Sequence, residues 1–275
     1  MLNGLSGWRL GLRWLKIVTS PRLLVYLALE RSRFSLRQPR AIMVTSQTLL
    51  PQMRQAYPAC QSALQVLTPG VACVVGPATP EAKSQARIRL GLPADGFCIL
   101  FVGNDYRKKG LTTLLQALGQ LPESCFVAVV GNPAQAPQFQ AQAAAAGLAK
   151  RVFFLGALPE VGMAYQAADS LVHPTLEDTF AMVVLEAMAH GLPVVVSSAR
   201  YCGIAALLRA GQDALVLEDP HDPAAMAFAL LRVKQEPALE TSLRAAGLAF
   251  AQDHQWAALA QRQSALYQQL AIQKL

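Results

Sequence analysis

The sequence predicts an α/β fold: a doubly wound parallel sheet, preceded by part of a second domain of the same layered kind. Three observations carry this. From about residue 96 onward, short apolar runs alternate with helical stretches. The apolar runs are hydrophobic on both faces, as strands are when helices cover the sheet on each side. A chain of 275 residues can also bury a sizeable core, enough for one large domain or one and a half.

In chain order, the strand candidates are residues 97–103, 125–131, 152–155, 170–172, 193–197 and 214–217. Helices are expected between them, near 109–120, 134–147, 160–168, 180–190, 202–210 and 222–235. The run 141–146 is rich in alanine, a strong helix former. Doubly wound sheets bind ligands beyond the carboxyl ends of their strands, so candidate site residues belong there. Before residue 80 the pattern changes. A helix near 22–37, a strand at 41–44, a helix near 47–57 and a strand at 64–67 read as the tail of a preceding domain. The expected division is 1–79 for that part, 80–253 for the ligand-binding domain and 254–275 for a closing helix that returns toward the N-terminal part. Residues 77–83 are expected to be a linker.

Charge is unevenly spread. The net charge is +7, and residues 1–40 alone hold eight cations (Arg9, Arg13, Lys16, Arg22, Arg31, Arg33, Arg37, Arg40) against Glu30. The rest is balanced. Trp8, Leu10, Leu12, Trp14, Leu15 and Ile17 interleave with those cations, a composition suited to lying on an anionic membrane surface. The alternatives are ordinary surface of a domain whose partner segment is missing, and nucleic acid. Nucleic acid is disfavoured because phosphate contacts do not call for two tryptophans and several leucines. Although 53% of the chain is hydrophobic, no apolar run reaches the length of a membrane span. Residues 23–29 are apolar but lack a cleavage site, so no secretory signal is assigned. The five cysteines (Cys60, Cys73, Cys98, Cys125, Cys202) are scattered, which suits core filling in a reducing compartment.

The most informative stretch is 171–196: a short strand, a polar turn, a helix of about three turns and a buried strand. Asp178 sits in the turn and Glu186 follows eight residues later in the helix. The start of a helix leaves N–H groups unpaired and carries roughly half a positive charge, so it receives anions. Two carboxylates around such a helix end suit a ligand with both phosphates and hydroxyls, such as a nucleotide-sugar. Gly103-Asn104-Asp105 ends the first strand of this domain, and Arg107-Lys108-Lys109-Gly110 follows. Cations at that junction are placed to reach a diphosphate. Read the other way, Asp105 is a cap and the cations are solvated surface. Glu186 lies among apolar neighbours, which makes a solvent-facing role hard to find. A carboxylate forks well onto a vicinal diol. Asp178 reads either as a ligand for sugar hydroxyls or as a plain helix cap. His173-Pro174 ends a strand on the same side. No His, Cys and acid cluster has metal-ligand spacing, and no G-x-G-x-x-G follows a strand, which disfavours a dinucleotide oxidoreductase.

Taken together, these residues resemble the E-x7-E signature of retaining glycosyltransferases of the two-Rossmann (GT-B) architecture, family four. Within that group the chain looks most like the glucosyltransferases that build the lipopolysaccharide core. Supporting matches are Phe101-Val-Gly-Asn-Asp-Tyr-Arg-Lys-Lys-Gly110, Val152-Phe-Phe-Leu-Gly156, Ala168-Asp169 and Gly191-Leu-Pro-Val194. The resemblance begins near residue 24 and runs to the C-terminus. Thr68-Pro69-Gly70 resembles the interdomain crossover, and roughly the first hundred residues of the family have no counterpart. A late start, a truncation or a separate N-terminal polypeptide would each account for that.

The resemblance implies a Rossmann-like donor domain and hexose transfer, metal-independent and with retention, from a nucleotide diphosphate sugar (UDP-linked) to a glycolipid at the cytoplasmic membrane face. It implies no other cofactor. Asp178, Lys108 and Lys109 are the implied catalytic residues. Gly103, Asn104, Arg107, His173, Glu177, Phe180, Ala181, Met182, Val183 and Glu186 are the implied donor-binding ones. Two departures stand out. Asp178 replaces the usual first Glu, with Glu177 just before it as a substitute, and Ala181 stands where Gly is common. A catalytically incomplete nucleotide-sugar-binding fragment is the rival expectation.

Overall fold

The structure, a computed structural model, describes residues 7–34 and 41–272. It divides into two compact units, Met1–Leu67 with Ser264–Leu275, and Thr68–Gln263.

In the first unit, α1 (Gly7–Val18), α2 (Pro21–Phe34), β1 (Ile42–Val44), α3 (Leu50–Ala56) and β2 (Leu64–Val66) follow in order. The two strands pair in parallel, Ile42 beside Leu64 and Val44 beside Val66. In α1, Ile17 is fully buried, while Trp8, Leu12, Leu15 and Val18 are more than half exposed. Leu24, Val25, Tyr26 and Leu29 of α2 are exposed as well. Arg37 and Arg40 of the basic segment lie outside the described residues. No described helix is long and apolar enough to cross a membrane.

The second unit begins earlier in helix than expected. Residues 80–83 of the expected linker open α4 (Pro80–Leu90). Thr79 accepts the Ala82 N–H at 3.2 Å, Pro80 sits in the first turn and Gly91 closes the helix at φ 66°. These are ordinary start and stop signals. Arg87 and Lys83 then reach Asp169 at 2.8 and 2.6 Å, tying α4 to the sheet.

Then follow β3 (Phe97–Gly103), α5 (Leu111–Leu118), β4 (Cys125–Gly131), α6 (Ala136–Ala145), β5 (Val152–Gly156), α7 (Gly162–Ala167) and β6 (Ser170–His173). The remaining elements are α8 (Met182–Ala189), β7 (Val194–Ser197), β8 (Leu215–Leu217), α9 (Pro223–Gln235), α10 (Pro237–Asp253) and α11 (Trp256–Ile272), which from Ser264 on counts with the first unit. The six strands β3–β8 form one parallel sheet in the order β5-β4-β3-β6-β7-β8. Alternate residues of β3 face opposite cores. Cys98, Leu100 and Val102 pack with the α7 and α8 side, and Ile99 and Phe101 with the α5 and α9 side. That alternation explains why the strand reads as unbroken hydrophobe.

Two expected helices differ. The stretch 202–210 holds only a 3₁₀ segment, Gly203–Leu207. The expected three-turn helix over 180–190 is α8, eight residues long. Its missing first turn is a capping loop, in which Phe180 and Ala181 N–H bond the Asp178 carboxylate at 3.1 and 2.8 Å.

Candidate active site

The strand order reverses between β3 and β6, and such a switch point opens a crevice beyond the carboxyl ends of both strands. A cleft of about 480 Å³ lies there. Gly103, Asn104 and Asp105 line it from the end of β3, and His173 from the end of β6. Val130, Gly131, Ala157, Leu158 and Val161 make an apolar side, and Asp178, Ala181, Met182, Val183 and Glu186 come from the α8 entrance. Lys109 is the cation that reaches the cleft lining. Gly110 lets the Lys109 turn come so close. Its φ is 82°, and a Cβ there would stand 2.0 Å from the Pro174 carbonyl oxygen.

Asp178 organises the polar end. Its Oδ1 accepts the Phe180 and Ala181 N–H groups, and its Oδ2 accepts Lys109 Nζ at 2.6 Å and His173 Nε2 at 3.1 Å. Four donors fill the roughly four acceptor positions of a carboxylate. Burial works to raise the Asp178 pKa, but the bonds from His173 and Lys109 outweigh it and hold the carboxyl well below the usual range. Burial lowers the His173 pKa, although the Asp178 bond opposes it, so the imidazole is neutral. Facing a carboxylate, its Nε2 carries the proton. Nδ1 is then an acceptor, buried with no partner among the described residues. Lys109 uses a second donor on the Glu177 carbonyl at 3.1 Å, which leaves its third for a ligand.

Beside this cluster, α8 starts with Met182 and Val183, whose N–H groups have no partner within the helix. Ala181 precedes them at φ 72°, the one non-glycine positive φ among the described residues. A side chain held there costs roughly 1–2 kcal/mol, and such strain gathers at functional sites. Glu186 lies one turn on. Its Oε2 accepts the Tyr165 hydroxyl at 2.7 Å, and its carbonyl bonds His190 Nδ1 at 2.8 Å. The His190 ring stacks on Tyr165 with centroids 4.8 Å apart.

Several sequence candidates lie elsewhere. Lys108 pairs with Glu177 at 3.1 Å on the outer rim, where their side chains are 59% and 78% exposed. Arg107 is exposed too, and none of the three lines the cleft. Phe180 is buried in the core, its N–H already committed to Asp178. The cations do not open α5 but sit in a turn before it. Asp105 caps that turn by accepting the Lys108 N–H at 3.0 Å. Sequence pattern alone does not point to Leu158, Val161 or Tyr165, but Gly131 has a readable signal: Val-Gly-Asn recurs at 102–104 and 130–132, with β3 and β4 each ending at its glycine.

The fold and the cleft together define a doubly wound domain with an anion-receptive helix start and a carboxylate beside it, the arrangement of a nucleotide-binding α/β protein. Residues 82–249 match the family described as glycosyl transferases group 1, and the chain belongs to that family. It is 34% identical over 230 residues to a D-inositol 3-phosphate glycosyltransferase of Catenulispora acidiphila, covering 78% of this chain and 54% of that protein. A second D-inositol 3-phosphate glycosyltransferase, of Thermomonospora curvata, is 34% identical over 234 residues, with the same coverage of 78% and 54%. The chain thus spans about half the length of the curated relatives it matches. Among solved structures, sucrose-phosphate synthase from Thermosynechococcus elongatus superposes with a TM-score of 0.73 at 28% identity, covering 84% of this chain and 58% of that one. WaaG, a glycosyltransferase involved in lipopolysaccharide biosynthesis, shares the fold with a TM-score of 0.75 at 23% identity, over 92% of this chain and 69% of that one.

Proposed function

We propose that this chain is the donor-binding part of a retaining hexosyltransferase that takes a UDP-linked sugar. The observation that carries the proposal is the cleft itself, with a cation and an open helix start at one end and a free carboxylate edge at the other. The diphosphate sits over the Met182 and Val183 N–H groups and takes the third donor of Lys109. Both offset the charge that builds on the departing diphosphate. Glu186 accepts the ribose hydroxyls, and the apolar side around Leu158 and Val161 takes the base. Asp178 meets a sugar hydroxyl only by giving up one of its four donors. Lys109 is the one able to leave, turning its ammonium wholly to the phosphate. His173 then keeps Asp178 in place. Arg107 and Lys108 act on the rim, drawing the anionic donor in without touching it, and Glu177 holds Lys108 there.

A nucleotide titration tests this. Lys109→Ala is expected to raise the UDP dissociation constant by about tenfold or more, with uridine little changed, since a point charge acts on phosphates and not on the base. Lys108→Ala should change UDP binding by less than about threefold, because an exposed pair contributes little. Equal losses of UDP and uridine in Lys109→Ala would remove the lysine from the diphosphate site.

For the acceptor, the reading is a glycolipid of lipopolysaccharide-core type at the cytoplasmic membrane face. The exposed apolar row of α1, set among cations, supports it. Trp8→Ser with Leu12→Ser and Leu15→Ser is expected to abolish salt-sensitive sedimentation with anionic vesicles. Unchanged partitioning would leave α1 as ordinary surface. A second reading is a phosphorylated cyclitol, favoured by the names of the 34% identical relatives. Assay of both acceptors with one donor separates them. A further N-terminal domain, on this chain or a separate one, would complete the acceptor side.

A further inference from the structure

The cleft carboxylate Glu186 does not stand alone. Tyr165, on α7, is 2% exposed, and its hydroxyl lies 2.7 Å from Glu186 Oε2. Among the described residues its other acceptor is the Val183 carbonyl, at 3.4 Å, which is a poor bond. Burial first, then the charge and bond of Glu186, push the Tyr165 pKa far up, so the phenol stays protonated and donates. The ring is also fixed. His190 stacks on it with an interplanar angle of 28°, and His190 is itself held by the Glu186 carbonyl. Tyrosine, histidine and glutamate thus close a small loop joining α7 to α8.

A glutamate has three rotatable bonds, and a half-exposed one samples several rotamers unless held. Binding a vicinal diol by a fork requires the plane of the carboxylate to face both hydroxyls. Here one lone pair of Oε2 is taken from the buried side, which leaves Oε1 and the outer lone pair of Oε2 toward the cleft. We infer that Tyr165 is a positioning residue that locks the Glu186 carboxylate for the two hydroxyls of a ribose, and thereby sets the preference of this site for ribonucleotides. The inference rests on the reading of Glu186 as the ribose ligand. Tyr165 touches no donor atom and acts through Glu186.

The experiment is calorimetric titration of the full chain with UDP and with 2′-deoxy-UDP. The unmodified protein is expected to prefer UDP by about tenfold, the worth of one charge-assisted hydrogen bond. Tyr165→Phe removes one oxygen and keeps the stacked ring. It should weaken 2′-deoxy-UDP, which still offers Glu186 one hydroxyl, less than it weakens UDP, so that its preference for UDP falls to about twofold or less, while an unchanged melting temperature reports an intact fold. A preference unchanged in Tyr165→Phe overturns the proposal. Glu186→Ala separates the two levels. If it keeps the preference for UDP, the ribose reading fails and this inference with it. If it loses the preference and Tyr165→Phe does not, only the role of Tyr165 is wrong. A measurement without substitution adds a check: with ¹³C-tyrosine labelling, the Tyr165 ζ-carbon resonance should shift more with UDP than with 2′-deoxy-UDP. Equal shifts count against the proposal.

Discussion

Glu186→Ala is expected to weaken UDP binding by roughly 10- to 150-fold, corresponding to about 1.5–3 kcal/mol for a lost charge-assisted hydrogen-bond fork. Glu186 is the carboxylate of α8 that lines the cleft. Its neighbours Leu185 and Ala187 are fully buried, so the substitution leaves the core contacts of the helix untouched. The local cost falls on Tyr165, whose buried hydroxyl loses its good acceptor and keeps only the distant Val183 carbonyl. A modest drop in melting temperature should therefore accompany a large loss of affinity. Calorimetry on parent and variant checks both. Equal affinity would take Glu186 out of the binding site.

Gly131→Ala is expected to destabilise the second unit by about 3 kcal/mol, through strain and overpacking together. Gly131 ends β4 beside Gly103, the last residue of β3. Its φ is 149°, and an added Cβ would stand 1.9 Å from the Gly103 carbonyl oxygen and 3.0 Å from the Tyr106 ring. Both near neighbours are hard to move: one is backbone in the central strand pair, and the other is a fully buried ring. Relief requires prising apart the ends of β3 and β4, which are also the rim of the cleft, so affinity for UDP should fall together with stability. Gly119→Ala is the control, since Gly119 has φ −61° and the nearest atom to its added Cβ is 3.4 Å away. Thermal unfolding of the two variants decides the matter. A Gly131→Ala midpoint equal to that of Gly119→Ala would mean that the strand ends yield easily.

Much of this molecule was legible in the order of its residues. The strands of the second unit were, because a parallel sheet covered on both faces must be built from unbroken apolar runs such as 97–103 and 125–131. Glu186 was legible as well, because an acid among Val183, Val184, Leu185, Ala187 and Met188 has no cheap place in a core. So was Asp178, eight residues earlier and just ahead of a helix. These are local facts, set by periodicity and by the cost of burying charge.

What only the tertiary structure decided is which neighbours each side chain meets. Lys108 and Lys109 are adjacent and chemically alike, and the sequence gives no ground for separating them. The turn stabilised by Asp105 points Lys109 into the cleft toward Asp178 and sends Lys108 out to Glu177. Asp178 lines the cleft and Glu177 faces out, because adjacent residues in an extended stretch face opposite ways. Tyr165 lies 21 residues before Glu186, with β6 and a loop between them, and no spacing rule relates the two. Their contact exists because the parallel sheet lays α7 and α8 over the same face. Local preference shapes a strand or a cap, whereas a binding site is made where the path of the chain brings distant residues together.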